Sequence, residues 1–205
     1  MDCHLDRRND AWSETFVTAV RRNPINAALL DRLPALGLPD AWLVAGCLVQ
    51  TFWNIRSGRP PEEGIRDYDI FYCDTADLSW DAEDHHIRRV AAAVADLPAQ
   101  VELRNQARVH LWYGERFGAG YPPLHSSREA IDLFLIDCTR VALQAAPGAA
   151  PYLYAPCDRD DLCAGVLRPN WLNHRPELFT AKAASYCARW PWLRIEGTAN
   201  DKNNV

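Results

Sequence analysis

The sequence predicts a fold of the α/β or α+β class, in which helices alternate with short strands. The alternation of two apolar patterns and the number of prolines indicate this class. Short apolar runs rich in β-branched and aromatic residues alternate with stretches whose apolar residues recur at helical spacing. The chain has 205 residues, 48% of them apolar, which is enough to bury a substantial core. Fourteen prolines beside ten glycines favour stiff connecting loops over a simple helical bundle.

The first half of the chain alternates regularly between the two kinds of element. Apolar spacing between Ser13 and Leu36 predicts two helices broken near Pro24. "AWLVAG" is typical of a buried strand, and "CLVQTFWNIRSG" of a helix for which Gly58 is the stop. "RPPEEG" is a loop by its prolines and glycine. "IRDYDIFYCD" then favours a strand and "DAEDHHIRRVAAAVADL" a helix.

The hydrophobic pattern of the second half of the chain is less distinct. "QVELRNQARVHLWYG" predicts one or two strands, and "AIDLFLIDCTRVALQ" suits either a helix or a long strand. "PYLYAPCDRDDLCAGVLRP" indicates a short strand, a turn and a short helix, and "PELFTAKAASYCARWPWL" a closing helix that stops near Pro191. Without a convincing linker, we expect a single domain over 1–205, with a core at about 13–140 and a C-terminal extension at about 141–196.

Composition excludes several functional classes. A net charge of -5 argues against binding to long nucleic acids or anionic membranes, which favour basic surfaces. No apolar run approaches the ~18 residues of a membrane span, and the polar start "MDCHLDRRND" lacks a signal region, so we expect a cytoplasmic protein. Its seven cysteines include no CxxC pair and are expected to be small buried residues. A zinc site of Cys157, Cys163 and a histidine stays open.

The segment "IRDYDIFYCD" raises the main chemical question. On a strand, Asp67 and Asp69 point to one face with Cα atoms about 6.6 Å apart, while Tyr68 faces the other way. Two acidic groups at the edge of an apolar strand are unfavourable unless something neutralises them. Paired hard oxygen ligands suit Mg²⁺ or Mn²⁺ better than softer metals. The alternative is a chance D-x-D on a solvated strand.

A glycine turn precedes this strand. Ala45, Gly46 and Cys47 follow the first predicted strand and open a helix, whose free N–H groups and positive end favour a phosphate. Glycine there permits close approach of the backbone to a ligand. Polymerase-type chemistry combines a phosphate site of this kind with metal-binding carboxylates.

A glycine turn, a helix and then a strand with D-x-D resemble the nucleotidyltransferase superfamily that includes DNA polymerase beta and the tRNA CCA-adding enzymes. The chain resembles more specifically a bacterial group of small nucleotidyltransferase-like proteins of largely unassigned function. The stretches that carry the likeness are "VAGCLVQTFWN", "IRDYDIFYCD", "VELRNQARVHLWY", "APCDRDDLCAGVLRPN" and "AKAASYCARWPWLRI". The resemblance implies an α+β fold, with a mixed β-sheet flanked by helices and a C-terminal α/β extension.

The resemblance also implies a third carboxylate on a later strand beside the D-x-D strand. Glu102 in "QVELRN" is the candidate, with a solvated edge residue as the alternative, and Asp137 is the reserve. The role of Glu102 would be to bind metal together with Asp67 and Asp69 and to orient or deprotonate the attacking hydroxyl.

Basic residues that follow Glu102 are candidates for the triphosphate. Arg104, Arg108 and His110 share its strand parity if no bulge intervenes, and arginine can bind phosphate with two hydrogen bonds. The alternative is a charged face exposed to water. Lys182 lies in one of the matching stretches, without a predicted role.

The chain departs from the superfamily in its first turn. The CCA-adding type has a doubled glycine and an Arg-Asp pair, where this chain has Ala45-Gly46 and Val49-Gln50. Polymerase-beta-like members usually place serine after the glycine, where this chain has Cys47, a poorer hydrogen-bonding group. Triphosphate binding is therefore expected to be weaker or different.

Three functions follow from these features. The first is a metal-dependent nucleotidyltransferase that moves a nucleoside monophosphate from an NTP to a hydroxyl and releases pyrophosphate. The acidic net charge of the chain fits a small-molecule or protein acceptor. The second is a catalytically degenerate module that binds a nucleotide or a protein partner. The third is a metal-dependent nuclease, since an aspartate strand followed by "VELR" is loosely similar to D…E-x-K sites, but Arg104 cannot replace their lysine in proton transfer.

Overall fold

The computed structural model describes residues 11–44, 46–118 and 120–197. Its helices are α1 (Ala11–Val20), α2 (Pro24–Arg32), α3 (Gly46–Arg56), α4 (Trp80–Ala93), α5 (Val109–Phe117), α6 (Ser127–Asp132), α7 (Arg159–Ala164) and α8 (Pro176–Arg189). Its strands are β1 (Trp42–Val44), β2 (Tyr68–Tyr72), β3 (Val101–Asn105), β4 (Ala142–Gln144), β5 (Tyr152–Tyr154), β6 (Val166–Leu167) and β7 (Arg194–Ile195). No helix within the described ranges has the length and apolar content of a membrane span.

The central feature is a five-stranded mixed sheet in the order β3-β2-β1-β4-β5. Strands β2 and β3 run parallel, joined by the crossover helix α4, and the other neighbours run antiparallel. Strands β6 and β7 pair separately in parallel. A mixed sheet flanked by helices confirms the predicted α+β class. Strands β4 and β5, which follow the expected core boundary at about 140, complete this sheet, and the single-domain organisation stays a prediction.

The two faces of the sheet are covered unequally. One face carries Leu43, Ile70, Leu103 and Leu143, all buried in the larger core together with residues of α1, α2, α3 and α8. The opposite face carries a smaller cluster, whose fully buried members are Trp42, Val44, Ile131 and Ala142, with Phe71 and Phe134 packed against them. Because strand residues alternate between faces, Asp69 lies on the side of this smaller cluster.

The helix and strand pattern of the first half is confirmed, including the break at Pro24 and the end of α3 before Gly58. The prediction of one or two strands in "QVELRNQARVHLWYG" is wrong for the second half of this segment, since β3 ends at Asn105 and α5 begins at Val109. The Asn105 side chain causes this end. Its oxygen accepts the N–H groups of Asp74 and Ala107, at 3.0 and 3.1 Å, and thereby starts a 3-10 turn.

The segment "AIDLFLIDCTRVALQ" is neither one helix nor one long strand. It ends α6, passes through a 3-10 turn at Asp137–Thr139 and enters β4. An isolated bridge between Ile136 and Pro169 and the hydrogen bonds of the Asn170 side chain to the carbonyls of Asp132 and Phe134 fix the bend. These partners are distant in sequence, so periodicity does not reveal them.

Candidate active site

Asp67 and Asp69 lie together at the start of β2. Asp69 is on the strand, and Asp67 directly precedes Tyr68, the first residue of the strand. Burial, followed by the charge of Asp67, raises the pKa of the Asp69 carboxyl from 3.8 to about 7. Since a neighbouring anion makes ionisation unfavourable, the two carboxylates are close enough for the charge of Asp67 to act on Asp69.

Tyr68 explains why an aromatic residue separates the two aspartates. Its side chain points into the larger core, is only 3% exposed, and accepts a hydrogen bond from the Asn23 side-chain amide at 3.1 Å. The same amide donates to the Thr51 hydroxyl on α3 at 2.9 Å. Tyr68 therefore anchors the strand on one face, so that the side chain of Asp69, the next residue, points to the other face.

Glu102 stands beside Asp69 in the sheet. Register pairs the two residues across the parallel strands β2 and β3, and paired residues of neighbouring strands, about 4.8 Å apart, share a face. The charge of Glu102 also contributes to the raised pKa of Asp69. The Glu102 carboxylate accepts a hydrogen bond from the Gln100 amide at 2.8 Å and lies 3.6 Å from the Arg104 guanidinium.

Two cations face this acidic group. The charges of Lys182 and Arg104 both lower the pKa of Asp69, against the larger raising effects of burial and Asp67. Arg104 follows Glu102 on the same face of β3, as strand parity predicts. Lys182 comes from α8, a helix distant in sequence, and the sequence does not indicate that its charge acts on Asp69. Among the residues that the structure describes, neither aspartate forms an ion pair within 4.0 Å.

The glycine turn lies next to Asp69. Val44, the last residue of β1, pairs with Asp69, and α3 starts at Gly46, two positions later. The N-terminal N–H groups of α3 therefore begin close to the carboxylates. Ala45, the first residue of the predicted turn, falls outside the described residues.

Cys47 does not present its side chain to this turn. It is fully buried, and its thiol donates to the Val44 carbonyl at 3.5 Å. Burial raises the pKa of the thiol, and the charges of Asp69 and Asp67 raise it further, so the sulfur stays protonated. A phosphate can meet the backbone of Cys47, but not a hydroxyl of the kind that serine supplies.

Arg108 and Asp137 lie in surroundings other than those expected. Because β3 ends before Arg108, strand parity with Glu102 is wrong at that position. The Arg108 guanidinium is buried, pairs with Glu83 of α4 and donates to the Leu78 carbonyl at 2.8 Å. Asp137 pairs with Arg140 and accepts the Asp158 N–H at 3.3 Å. The structure thus places neither residue among those that face Asp69.

The donor set at Asp67 and Asp69 suits a hard divalent cation. Within the described ranges, no group of three or more His, Cys, Asp or Glu side chains is arranged to hold a metal ion, and this includes Cys157 and Cys163. A Mg²⁺ site does not need three protein ligands, since this ion keeps several waters and takes one or two carboxylates plus substrate phosphates. Burial and the charge of Asp67 raise the pKa of Asp69, and a bound cation would favour its ionised form.

Two clefts of about 340 and 770 Å³ lie elsewhere, along the loop that joins β4 to β5. They share Pro34 and the segment 145–147 as lining, and neither is lined by a carboxylate of the D-x-D group. The chemistry of the carboxylates, rather than the size of a cleft, therefore marks the candidate site.

Known proteins are similar to this chain in sequence and in fold. A family described as nucleotidyltransferase matches residues 31–195. A solved structure described as an NMR structure that reveals a CCA-adding enzyme head domain has a TM-score of 0.71 and 27% identity, covering 90% of this chain and 96% of that one. A tRNA-processing enzyme in its apo form I has a TM-score of 0.46 and 13% identity, covering 95% of this chain and 47% of that one. No curated protein sequence matches the chain. Since the family match spans most of its length, the chain belongs to the nucleotidyltransferase family.

Proposed function

We propose that this protein transfers a nucleoside monophosphate from an NTP to a hydroxyl acceptor and releases pyrophosphate. The observation that supports this proposal is the pairing of Asp69 with Glu102 in the sheet, next to Asp67 and to the N-terminus of α3. Carboxylates next to a phosphate-binding helix end supply the two elements of such a reaction, a cation site and an anion site.

The reaction balances without a further reactant. The acceptor oxygen forms a bond to the α-phosphorus, and the bond from the α-phosphorus to the bridging oxygen of the β-phosphate breaks. Pyrophosphate leaves with that electron pair. The hydroxyl proton passes to the Glu102 carboxylate, which is half-buried beside Asp69 and is held by Gln100 and Arg104.

Asp67 and Asp69 are the proposed ligands of Mg²⁺ or Mn²⁺. When bound, the ion supplies charge neutralisation for the phosphates and lowers the pKa of the acceptor hydroxyl. The backbone of Gly46 and Cys47 approaches the triphosphate, and Arg104 orients Glu102. A net charge of -5 supports a small-molecule or protein acceptor over a long polynucleotide.

A module that binds nucleotide without turnover is the second candidate. The burial of the Cys47 thiol and the engagement of Glu102 by Gln100 and Arg104 favour it. A nuclease has less support, because Arg104 cannot act as its general acid or base.

Calorimetry with Mg²⁺ and each NTP, beside a pyrophosphate-release assay with candidate acceptors, separates these functions. We expect NTP binding that requires Mg²⁺, and pyrophosphate release that requires an acceptor. Binding without release under all acceptors favours the module, and cleavage of DNA favours the nuclease.

Two sets of variants assign the roles. Replacing both Asp67 and Asp69 with asparagine should abolish Mg²⁺-dependent NTP binding while the fold persists, and undiminished binding would contradict the metal site. Glu102→Gln should retain binding and lose turnover. Asp160→Asn, at an exposed position of α7, is the matched control and should change neither quantity.

A further inference from the structure

A buried polar network joins helices α2 and α3 to strand β2. Its members Asn23, Asn26 and Thr51 are fully buried, and Tyr68 is 3% exposed. Asn23 is the N-cap of α2, and Asn26 lies in the first turn of that helix. Thr51 belongs to α3 and Tyr68 to β2. Polar side chains are unfavourable in a core unless hydrogen bonds hold them, so the partners of these residues determine what the network does.

The Thr51 hydroxyl is the centre of this network. It accepts hydrogen bonds from the side-chain amides of Asn23 at 2.9 Å and of Asn26 at 3.2 Å. The Asn23 side-chain oxygen accepts the N–H groups of Ile25 and Asn26, at 2.9 and 3.4 Å, and caps α2. One hydroxyl of α3 therefore holds the start of α2 at two points.

Two further hydrogen bonds connect the network to both parts of the candidate site. The Asn23 amide also donates to the Tyr68 hydroxyl at 3.1 Å, and Tyr68 stands between the two aspartates of the D-x-D segment. The Asn26 amide lies 3.3 Å from the Cys47 carbonyl, in the first turn of α3. The network thus contacts the helix turn of the proposed phosphate site and the strand of the proposed metal site.

The backbone alone does not fix the direction in which α3 leaves the sheet. Pairing of Val44 with Asp69 holds β1 against β2, but α3 begins at Gly46, and glycine gives this turn more conformational freedom than another residue would. The direction of the helix therefore depends on contacts farther along it. Thr51 makes such contacts five positions after Gly46, and hydrogen-bonded buried networks are rigid.

We propose that Thr51, Asn23 and Asn26 are positioning residues that set the distance between the first turn of α3 and the D-x-D aspartates, so that Mg²⁺ and the triphosphate bind cooperatively. The proposal rests on the proposed function and adds the residues that couple its cation and anion sites. Mg²⁺ contacts its oxygen ligands at about 2.0–2.1 Å. A small displacement of α3 relative to β2 therefore weakens joint binding more than it weakens binding of the nucleotide alone.

The ratio of NTP affinities in Mg²⁺ and in EDTA, measured by calorimetry, reports this coupling. Free NTP chelates Mg²⁺ equally whichever variant is present, so a difference in the ratio between variants belongs to the protein. Thr51→Val, which replaces the hydroxyl with a methyl group, should lower the ratio about tenfold or more. Thr51→Ser keeps the hydroxyl and should retain most of the ratio.

Thr139→Val is the matched control, because it also removes a buried hydroxyl. The Thr139 side chain is 2% exposed and donates to the Ile136 carbonyl at 2.7 Å. Both valine variants should lower the melting temperature, but only Thr51→Val should lower the affinity ratio. An unchanged ratio in folded Thr51→Val would overturn the proposal. If Thr51→Val does not fold, Tyr68→Phe, which removes a single bond of the network, decides the question on the same terms.

Failure of this inference is distinguishable from failure of the proposed function. If the ratio falls in Thr51→Val but no acceptor supports turnover in the native protein, the positioning role stands and the transferase does not. If the native protein releases pyrophosphate and Thr51→Val keeps the full ratio, only the positioning role is overturned. If the native protein binds NTP equally in Mg²⁺ and in EDTA, both proposals are overturned.

Discussion

Asp69→Asn should stabilise the folded protein at pH 8 while it removes the proposed metal site. Burial and the Asp67 charge raise the pKa of Asp69 from 3.8 to about 7 in the folded chain. Between these values the folded state holds more protons than the unfolded state, so the free energy of unfolding falls as pH rises from about 4 to 7. A shift of three pKa units corresponds to about 4 kcal/mol, an upper limit because the carboxyl keeps some exposure to water. Asparagine, which carries no charge, is free of this penalty.

Urea denaturation in EDTA, at pH 5 and pH 8, measures the effect. Much of the penalty is absent at pH 5, where folded Asp69 is protonated, so the gain from Asp69→Asn should be about 2 to 3 kcal/mol larger at pH 8. The exposed control Asp160→Asn should show no such difference between the two values of pH. If Asp69→Asn has the same effect on stability at both, or lowers stability at pH 8, the electrostatic account of the site is wrong.

Two further predictions concern the scaffold. Arg108→Met leaves the Glu83 carboxylate, 3% exposed, without its ion-pair partner. In urea denaturation it should lower the free energy of unfolding by about 3 to 5 kcal/mol. The double variant Arg108→Met with Glu83→Gln should recover part of this loss. Gly165→Ala places a Cβ 2.2 Å from a Trp192 ring carbon at a φ of +70° and should lower the melting temperature strongly. Gly148→Ala, at a φ of +67° with no atom within 4 Å, is its control and should show only the smaller cost of the backbone conformation, about 1 kcal/mol.

Local sequence patterns predicted much of the fold because they depend on neighbouring residues. The Pro24 break, the helix that ends before Gly58 and the strand around Tyr68 all follow from spacing and turn residues within a few positions. The end of β3 depends instead on the Asn105 side chain meeting Asp74, thirty-one positions away. Nothing within "VELRNQARVHLWY" distinguishes that contact from a continuing strand, so the prediction failed where a tertiary hydrogen bond decides the local structure.

The candidate site likewise contains residues that local sequence patterns predict and residues that only tertiary packing brings close. Strand parity sets the face of Asp69, and the parallel register of β2 and β3 places Glu102 beside it. Strand parity does not extend to Arg108, because β3 ends at Asn105. The charge of Lys182 acts on Asp69 only because α8 packs on α3. No local pattern within α8 indicates this placement, because it depends on the packing of helices that are distant in sequence.

The three consecutive residues Asp67, Tyr68 and Asp69 affect both the stability of the fold and the chemistry of the candidate site. Tyr68 is held on the core side by Asn23, so the strand cannot turn to hydrate the carboxylates that flank it more fully. The penalty for ionising Asp69 is therefore retained in the folded state, and it is relieved either by a proton or by a cation between the two aspartates. The proposed metal ion would compete with a proton for the Asp69 carboxylate, whose pKa is about 7. If Asp69 is a metal ligand, the affinity for Mg²⁺ should therefore increase as pH rises through about 7.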